Sequence, residues 1–322
     1  MKSRCTQKGV FGLLVMMLVL ATSAFATDYY VATDGDDDDP GTLAEPFATI
    51  QHAADVMSAG DTCYIRAGTY HEEVAWTTGS LDGTSGNPVT FTNYQDEEVI
   101  LDGTESITGT WTQHSGNIYK ISFATDVWQL FDDGEMMIPA RWPNHNPSDD
   151  FWTQDQIVYW AQGDVTKDTN GHMYDVPHDS VDLAASNLNM QGAMAVLNVG
   201  SFKTGTRAVN SHTGGDDDFT YNAVSFTFKD KHHYYFMEAK LNLLDAEKEW
   251  YYDSSADLVY LWAPGGGSPS GTIKGKTQSY AFDVTGCDYI TVKGLKFFGN
   301  TVSLSDCENI IVLDFSKFLN VL

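Results

Sequence analysis

Residues 286–295 read GCDYITVKGL and residues 306–315 read DCENIIVLDF, so two similar stretches follow each other at an offset of 20. Apolar residues alternate with polar ones in both, which is typical of strands with one buried face. The offset aligns four pairs of apolar residues: Cys287 with Cys307, Ile290 with Ile310, Val292 with Val312, and Leu295 with Phe315. This repetition predicts successive coils of a parallel β-solenoid.

A second repeat lies near the N-terminus, at a different offset. Strands with period 2 are predicted over residues 62–66, 72–76, 88–92 and 99–101. An offset of 26 aligns Cys63 with Val89, Ile65 with Phe91, and Val74 with Ile100. These matches predict that the first coils of the solenoid stack in this register.

One amphipathic helix is predicted in front of these coils, over residues 46–57. Pro46 suits the first turn of a helix, and Gly60 suits the exit from it. A single apolar stripe is formed by Phe47, Ile50, Ala54 and Met57.

Residues 108–270, the middle segment, do not repeat. They are rich in aromatic residues and contain short alternating runs, separated by turns at the spacing of a β-sandwich. These runs predict strands at residues 117–121, 128–131, 193–197, 223–228, 249–252 and 258–262. The predicted domains are therefore the cap and first coils over 27–107, an inserted β-sandwich-like domain over 108–270, and resumed coils over 271–322.

Residues 1–26 have the pattern of a secretory signal. A positive start precedes the apolar run of residues 10–20, and Ala24-Phe25-Ala26 ends the stretch as an A-x-A cleavage site. A membrane anchor is the alternative, but the run is short of the about 20 apolar residues that a bilayer needs. The prediction is a chain that starts at Thr27, is secreted, periplasmic or on the cell surface, and has no membrane partner after cleavage.

The charge balance limits the partners. The formal net charge is −26, and removal of Lys2, Arg4 and Lys8 with the signal lowers it to −29. No Lys- or Arg-rich tract exists, so the sequence predicts no nucleic-acid partner. Such a surface also repels anionic polymers unless cations mask it.

Three stretches carry a resemblance to a known group. Residues 29–74 (YYVATDGDDDDPGTLAEPFATIQHAADVMSAGDTCYIRAGTYHEEV) resemble the start of secreted right-handed parallel β-helix proteins, a pectate-lyase-like group of polysaccharide lyases and several glycoside hydrolases. Residues 128–144 (WQLFDDGEMMIPARWPN) and 243–264 (LLDAEKEWYYDSSADLVYLWAP) are similar to members with a β-sandwich inserted between early coils. The resemblance implies an all-β fold: a right-handed parallel β-helix with an N-terminal capping helix and that insert.

The resemblance also implies an activity. We expect a secreted carbohydrate-active protein that degrades a polysaccharide or oligosaccharide, with glycoside hydrolase slightly favoured over polysaccharide lyase because of the acidic charge. In related enzymes the catalytic groups project from coils after the insert, whereas this sequence stops at Leu322. It is therefore predicted to be a C-terminally truncated β-helix, with catalytic residues unknown and mostly beyond Leu322. The alternative is a non-catalytic exported β-helix protein for glycan binding or cell-surface attachment.

Carboxylates are plentiful in the resumed coils, and hydrolysis of a glycoside needs two of them. The candidates are Asp283, Asp288, Asp306, Glu308 and Asp314. Solvated surface acids are the alternative explanation for each.

The substrate-binding candidates are Arg141, Trp142, Asn144 and His145. An indole beside Arg, Asn and His suits a sugar ring, which stacks through its apolar face and bonds through its hydroxyls. They are predicted to line a cleft between the middle segment and the solenoid. Alternatively, Trp142 packs the sandwich against the solenoid and Arg141 pairs with an acid. The stretch 232–235 (HHYY) is a weaker candidate of the same kind.

The metal candidates lie in one acidic turn, and Ca²⁺ is the ion that they suit because it takes six to eight oxygen ligands. They are Asp34, Asp36, Asp37, Asp38 and Asp39. The run lacks the spacing of an EF-hand, and a solvated acidic turn is the alternative.

Overall fold

The computed structural model describes residues 26–144, 160–200 and 202–313, together with the backbone of residues 318 and 319. The described chain is built from strands with two short α-helices, so the all-β prediction is confirmed. The signal predicted before Ala26 lies outside the described residues, as does His145.

The N-terminal part contains one helix and six strands. They are β1 (Asp28–Val31), α1 (Ile50–Val56), β2 (Thr62–Ile65), β3 (Gly68–Tyr70), β4 (Val74–Thr77), β5 (Val89–Asn93) and β6 (Val99–Asp102). The helix begins after Thr49, whose hydroxyl accepts a hydrogen bond from the N–H of His52, and not at Pro46 as predicted. The predicted apolar stripe is confirmed, since Phe47, Ile50, Ala54 and Met57 are all buried in the solenoid core.

The chain then leaves the solenoid and forms sixteen further strands among the described residues. They are β7 (Thr104–Ser106), β8 (Thr112–Ser115), β9 (Ile118–Ser122), β10 (Leu130–Asp132), β11 (Glu135–Met136), β12 (Ile138–Pro139), β13 (Arg141–Trp142), β14 (Ala161–Gln162), β15 (His172–Tyr174), β16 (Met194–Asn198), β17 (Thr204–Ser211), β18 (Asp218–Tyr221), β19 (Tyr234–Glu238), β20 (Glu249–Asp253), β21 (Leu258–Leu261) and β22 (Ile273–Lys276). A helix α2 (Leu183–Ser186) and a 3₁₀ turn (Leu241–Leu243) interrupt them.

The C-terminal part returns to the solenoid. Its strands are β23 (Tyr280–Thr285), β24 (Ile290–Lys293), β25 (Lys296–Phe298), β26 (Thr301–Ser305), β27 (Ile311–Leu313) and β28 (Phe318–Leu319). Three parallel sheets form the faces of the solenoid, in the orders β1-β2-β5-β24-β27, β3-β6-β25-β28 and β4-β23-β26.

The sheet orders show where the middle segment interrupts the solenoid. Strands β5 and β6 belong to the second coil, but the third strand of that coil is β23, because β23 lies between β4 and β26. The chain leaves through β7 and returns through β22, and these two strands pair antiparallel. The middle segment is therefore inserted within one coil rather than between two complete coils.

The predicted register of the first coils is wrong. Cys63 pairs with Phe91, an offset of 28, and not with Val89. Val74 stacks on Phe282 from the returning chain, and not on Ile100. A shift of two residues keeps the same side chains facing inward, so the apolar alternation cannot distinguish the two registers.

The predicted register of the last coils is confirmed. Thr291 pairs with Ile311 and Val292 with Val312, at the expected offset of 20. The turn backbone repeats as well. Left-handed φ angles of 65° and 53° occur at Gly286 and Asp306.

The middle segment forms antiparallel sheets of seven, five and four strands, apart from the parallel pair β12–β20. The larger of its two apolar clusters lies under the seven-stranded sheet and contains Leu183, Leu197, Phe219, Tyr235 and Met237. Residues 223–228 do not form the predicted strand. Phe226 and Phe228 instead pack as an irregular segment against this cluster, which explains their alternating apolar pattern. The β-sandwich-like arrangement and the boundaries 108–270 stay predictions.

Candidate functional site

A pocket of about 500 Å³ opens at the end of β13, and its volume lies within the range of small-molecule sites. Its lining residues are Trp142, Pro143, Asn144, Ser180, Val181, Ser186, Leu188 and Asp245. All of them belong to the middle segment. The pocket is therefore not the cleft between this segment and the solenoid that was predicted for the same residues.

Two of the four predicted binding residues, Trp142 and Asn144, line this pocket. Arg141 does not, and only 7 % of it is exposed. Its Nε donates a hydrogen bond to the carbonyl oxygen of Pro143 at 3.0 Å, and its guanidinium carbon lies 4.0 Å from the ring centre of Phe236. Burial lowers the pKa of Arg141 to about 10. This guanidinium is thus committed to the protein interior.

The first wall of the pocket is held from behind by a buried carboxyl group. Asn144 Nδ2 donates to Asp245 Oδ1 at 2.8 Å, which joins two segments about a hundred residues apart. The backbone N–H groups of Asp245 and Ala246 both donate to Glu249 Oε2, at 3.0 and 3.2 Å. The N–H of Arg141 donates to the other oxygen of Glu249. Glu249 therefore fixes the backbone on both sides of this wall.

The second wall is the turn that leads into α2. Val181 and His178 exchange two backbone hydrogen bonds, and Asp182 caps α2 by accepting from the N–H of Ala185. Behind them, the buried Asp175 accepts from the N–H of Leu183 at 2.9 Å and from the hydroxyl of Tyr235 at 2.7 Å. The wall that carries Ser180 and Val181 is thus tied to the core.

The two walls combine apolar and polar groups. Trp142, Pro143, Val181 and Leu188 supply the apolar part. Trp142 and Val181 are largely buried in the core of the middle segment, with 8 % and 5 % of each residue exposed. The Ser186 hydroxyl donates to the carbonyl of Leu183 and accepts from the N–H of Leu188, so it is already used within the protein. Asn144, Ser180 and Asp245 are exposed and supply the polar part. Apolar walls with a few placed polar groups are the general form of a small-molecule site.

Two polar residues of the pocket, Ser180 and Asp245, were not predicted from the sequence. No local pattern marks Ser180. Asp245, however, lies within residues 243–264, one of the two stretches that resembled a known group, and Asn144 ends the other. The structure places these stretches side by side, because β12 pairs with β20. The similarity of both stretches to the same group of proteins was therefore the sequence signal that could have identified Asp245.

In the weaker candidate, residues 232–235, His233 and Tyr235 face the interior, whereas His232 is exposed and Tyr234 is partly exposed. The side chains of His233 and its partner Asp168 are fully buried, and Nδ1 of the imidazole lies 2.7 Å from the carboxylate. Tyr235 is also fully buried. His233 and Tyr235 therefore stabilise the core of the middle segment.

The acidic turn predicted to bind Ca²⁺ uses its central carboxylate within the protein. Asp37 Oδ1 accepts from the N–H groups of Ala48 and Thr49, and Oδ2 accepts from the hydroxyl of Thr49. Across the described ranges, no group of three or more His, Cys, Asp or Glu side chains is placed to hold a metal ion. The proposed ligands Asp34, Asp36, Asp37, Asp38 and Asp39 stay a prediction.

Among the carboxylates of the resumed coils, Asp288 bridges neighbouring coils. Its Oδ1 accepts from the N–H of Glu308 at 2.7 Å, while its own N–H donates to Asp82 Oδ1 at 2.9 Å. This arrangement ties three turns of the solenoid together. Asp314 lies outside the described residues.

The comparisons with known proteins agree with this architecture. Residues 29–132 match the family described as "Pel9A-like, right handed beta helix region". The chain is 40 % identical over 86 residues to pectate lyase PEL9 of Emericella nidulans, covering 27 % of this chain and 21 % of that protein. It is 44 % identical over 81 residues to the uncharacterized protein YwoF of Bacillus subtilis, covering 24 % and 16 %. The predicted resemblance to pectate-lyase-like β-helix proteins is confirmed.

A solved structure extends the similarity of fold to the middle segment. A structure titled "Glycoside hydrolase" superposes with a TM-score of 0.60 at 19 % identity, over 84 % of this chain and 50 % of that one. The chain thus spans about half of that protein and about a fifth or less of the curated relatives that it matches. Within the described ranges, no helix has the length and hydropathy required to span a bilayer.

Proposed function

We propose that this protein is an exported carbohydrate-active protein that degrades a polysaccharide, and that the pocket at Trp142 binds part of the substrate. The observation that carries the proposal is the match of residues 29–132 to the Pel9A-like β-helix region, with 40 % identity to a pectate lyase in this part. The mixed apolar and polar lining of the pocket supports a saccharide as its ligand. The signal pattern of residues 1–26 supports export.

Hydrolysis is the proposed reaction. Elimination from an acidic sugar needs a base and a cation that neutralises the sugar carboxylate. Among the described residues, the only charged side chain that lines the pocket is that of Asp245, which is acidic. The formal net charge of −26 also opposes the approach of a polyanion. A hydrolase acting on a neutral polysaccharide meets neither difficulty.

The test is product analysis with the full-length protein on neutral polysaccharides and on polygalacturonate, in ¹⁸O-labelled water. Hydrolysis transfers an oxygen from water to each new reducing end, so labelled ends without unsaturated products are expected. Elimination instead leaves a carbon–carbon double bond that absorbs ultraviolet light, and this result would overturn the hydrolase assignment. Binding without any product would favour the alternative, a non-catalytic exported β-helix protein that attaches to glycan or cell surface.

A further inference from the structure

We infer that the pocket at Trp142 selects an uncharged sugar unit and rejects a uronic acid. The inference rests on the proposed function, since it assigns a class of sugar to the same pocket. It departs from the acidic substrate that the name of the related pectate lyase indicates. The observation behind it is the distribution of charge around the pocket.

Arg141 and Lys240, two cations from neighbouring elements, are engaged elsewhere. The guanidinium of Arg141 bonds to Pro143 and lies over the ring of Phe236. The ammonium of Lys240 donates to the backbone carbonyls of Asn189 and Gln191, at 2.7 Å each. Neither Arg141 nor Lys240 is among the lining residues. A sugar carboxylate that entered the pocket would therefore meet no cation among the described lining residues.

A uronate would also lie close to Asp245. Two carboxylates within a few ångströms repel each other and lose solvation unless a cation compensates them. A neutral ring avoids this cost. One of its hydroxyls can donate to the carboxylate of Asp245 in a charge-assisted bond, and another can bond to the hydroxyl of Ser180. Its apolar face can pack against Pro143 and Leu188.

The experiment measures binding of three disaccharides by amide NMR and calorimetry: neutral xylobiose, digalacturonate, and the cationic dimer of glucosamine. The expected result is binding of xylobiose with shifts at the amides of Asn144, Ser180 and Asp245, and no such shifts with digalacturonate. D245N should weaken xylobiose binding about tenfold, because a hydrogen bond to a charged group is lost. S180A should weaken it less. D96N removes the same charge from an exposed turn of the solenoid and is the matched control.

The other outcomes each overturn the inference. Digalacturonate or the glucosamine dimer binding at these amides at least as tightly as xylobiose would refute the neutral class. Equal affinities of D245N and D96N for xylobiose would refute the role of Asp245. If no disaccharide shifts these amides, the pocket is not a sugar site. Such a result would not refute the proposed degradation of a polysaccharide. The product assay tests that proposal separately, because it measures product formation and not binding at this pocket.

Discussion

The backbone N–H of Thr27 donates a hydrogen bond to Oδ1 of Asp61 across 2.7 Å, and the N–H of Ser58 donates to Oδ2. The Asp61 carboxylate is buried, with 5 % of the residue exposed. Thr27 is also the first residue of the mature chain that the signal pattern predicts. Cleavage after Ala26 would convert this amide into a charged α-ammonium group, so that a charged donor replaces a neutral one as the partner of the buried carboxylate.

The first prediction compares chains with different starts. A chain that begins at Thr27 should be more stable than one that begins at Phe25 by about 1 kcal/mol, because bonds with two charged partners are stronger than bonds with one. Urea unfolding of both chains measures the difference. D61N should abolish it, and equal stability of the two chains with Asp61 intact would contradict the prediction.

The second prediction concerns the ion pair of Lys274 and Asp102, where the chain passes between the solenoid and the middle segment. Lys274, in β22, lies 2.8 Å from Oδ2 of Asp102, at the end of β6. The other oxygen of Asp102 accepts from the N–H and the hydroxyl of Thr104. The Asp102 side chain is 3 % exposed, so removing its partner leaves a buried charge uncompensated.

K274M should therefore lower the free energy of unfolding by about 2–3 kcal/mol, somewhat below the value for fully buried pairs because Lys274 is partly exposed. The matched control is K296M, because Lys296 pairs with Glu98 at an exposed site, where about 0–1 kcal/mol is expected. Adding D102N to K274M should restore part of the loss. Similar losses in K274M and K296M would show that Asp102 is not an uncompensated charge.

The sequence predicted the solenoid but only part of its stacking. The offset of 20 in the last coils was correct, because Cys287 and Cys307 fixed it together with turn residues that repeat. In the first coils no such marker accompanies Cys63, and the two-residue ambiguity of an alternating strand led to the wrong partner. Val74 could not be placed at all from its neighbours, because its partner Phe282 lies beyond the middle segment.

Only part of the candidate site could be predicted from the sequence. Trp142 and Asn144 were recognised from their composition, since an indole and an amide close together suit a sugar. The burial of Arg141 could not be predicted, because its contacts Phe236 and Glu249 are remote in sequence and become its neighbours only in the folded protein. A pocket that is lined by segments distant in sequence cannot be recognised from the local pattern of any one of them.

The third prediction uses the buried pair of His233 and Asp168. Nδ1 of the imidazole faces the carboxylate, and Nε2 lies 2.5 Å from the carbonyl oxygen of Lys229. Both nitrogens face acceptors, and the imidazolium form satisfies this arrangement because it carries a hydrogen on each nitrogen. Burial opposes this charge, but the bonds to Asp168 and Lys229 outweigh it and raise the pKa of His233 above its usual value.

A raised histidine pKa stabilises the fold fully below about pH 6.5, and this stabilisation is lost as the pH rises through the value in the folded state. The wild type should therefore lose stability relative to H233Q, which cannot titrate, as the pH rises above about 6.5. Parallel stability curves for wild type and H233Q would show that the ring is neutral.

The fourth prediction concerns Glu249, the buried carboxyl group behind the pocket wall. Burial raises the pKa of Glu249 to about 8. The hydrogen bonds that it accepts from the backbone N–H groups of Asp245, Ala246 and Arg141 lower the pKa, but by less than burial raises it. An unfolded glutamate titrates near 4.3. The folded state therefore binds the proton more tightly than the unfolded state throughout the interval between these values.

The sign follows from this difference. The contribution of Glu249 to the free energy of unfolding is greatest below about pH 4.3. As the pH rises, this contribution falls by at most about 1.4 kcal/mol per pH unit, and it becomes constant above about pH 8. E249Q cannot titrate, and its amide supplies one acceptor oxygen in place of two, so it should be less stable overall but with a flatter curve. Urea unfolding from pH 5 to 8 compares the slopes, with E135Q as the control because Glu135 is exposed. A wild-type slope equal to that of E249Q would show that the N–H groups keep Glu249 ionised despite its burial.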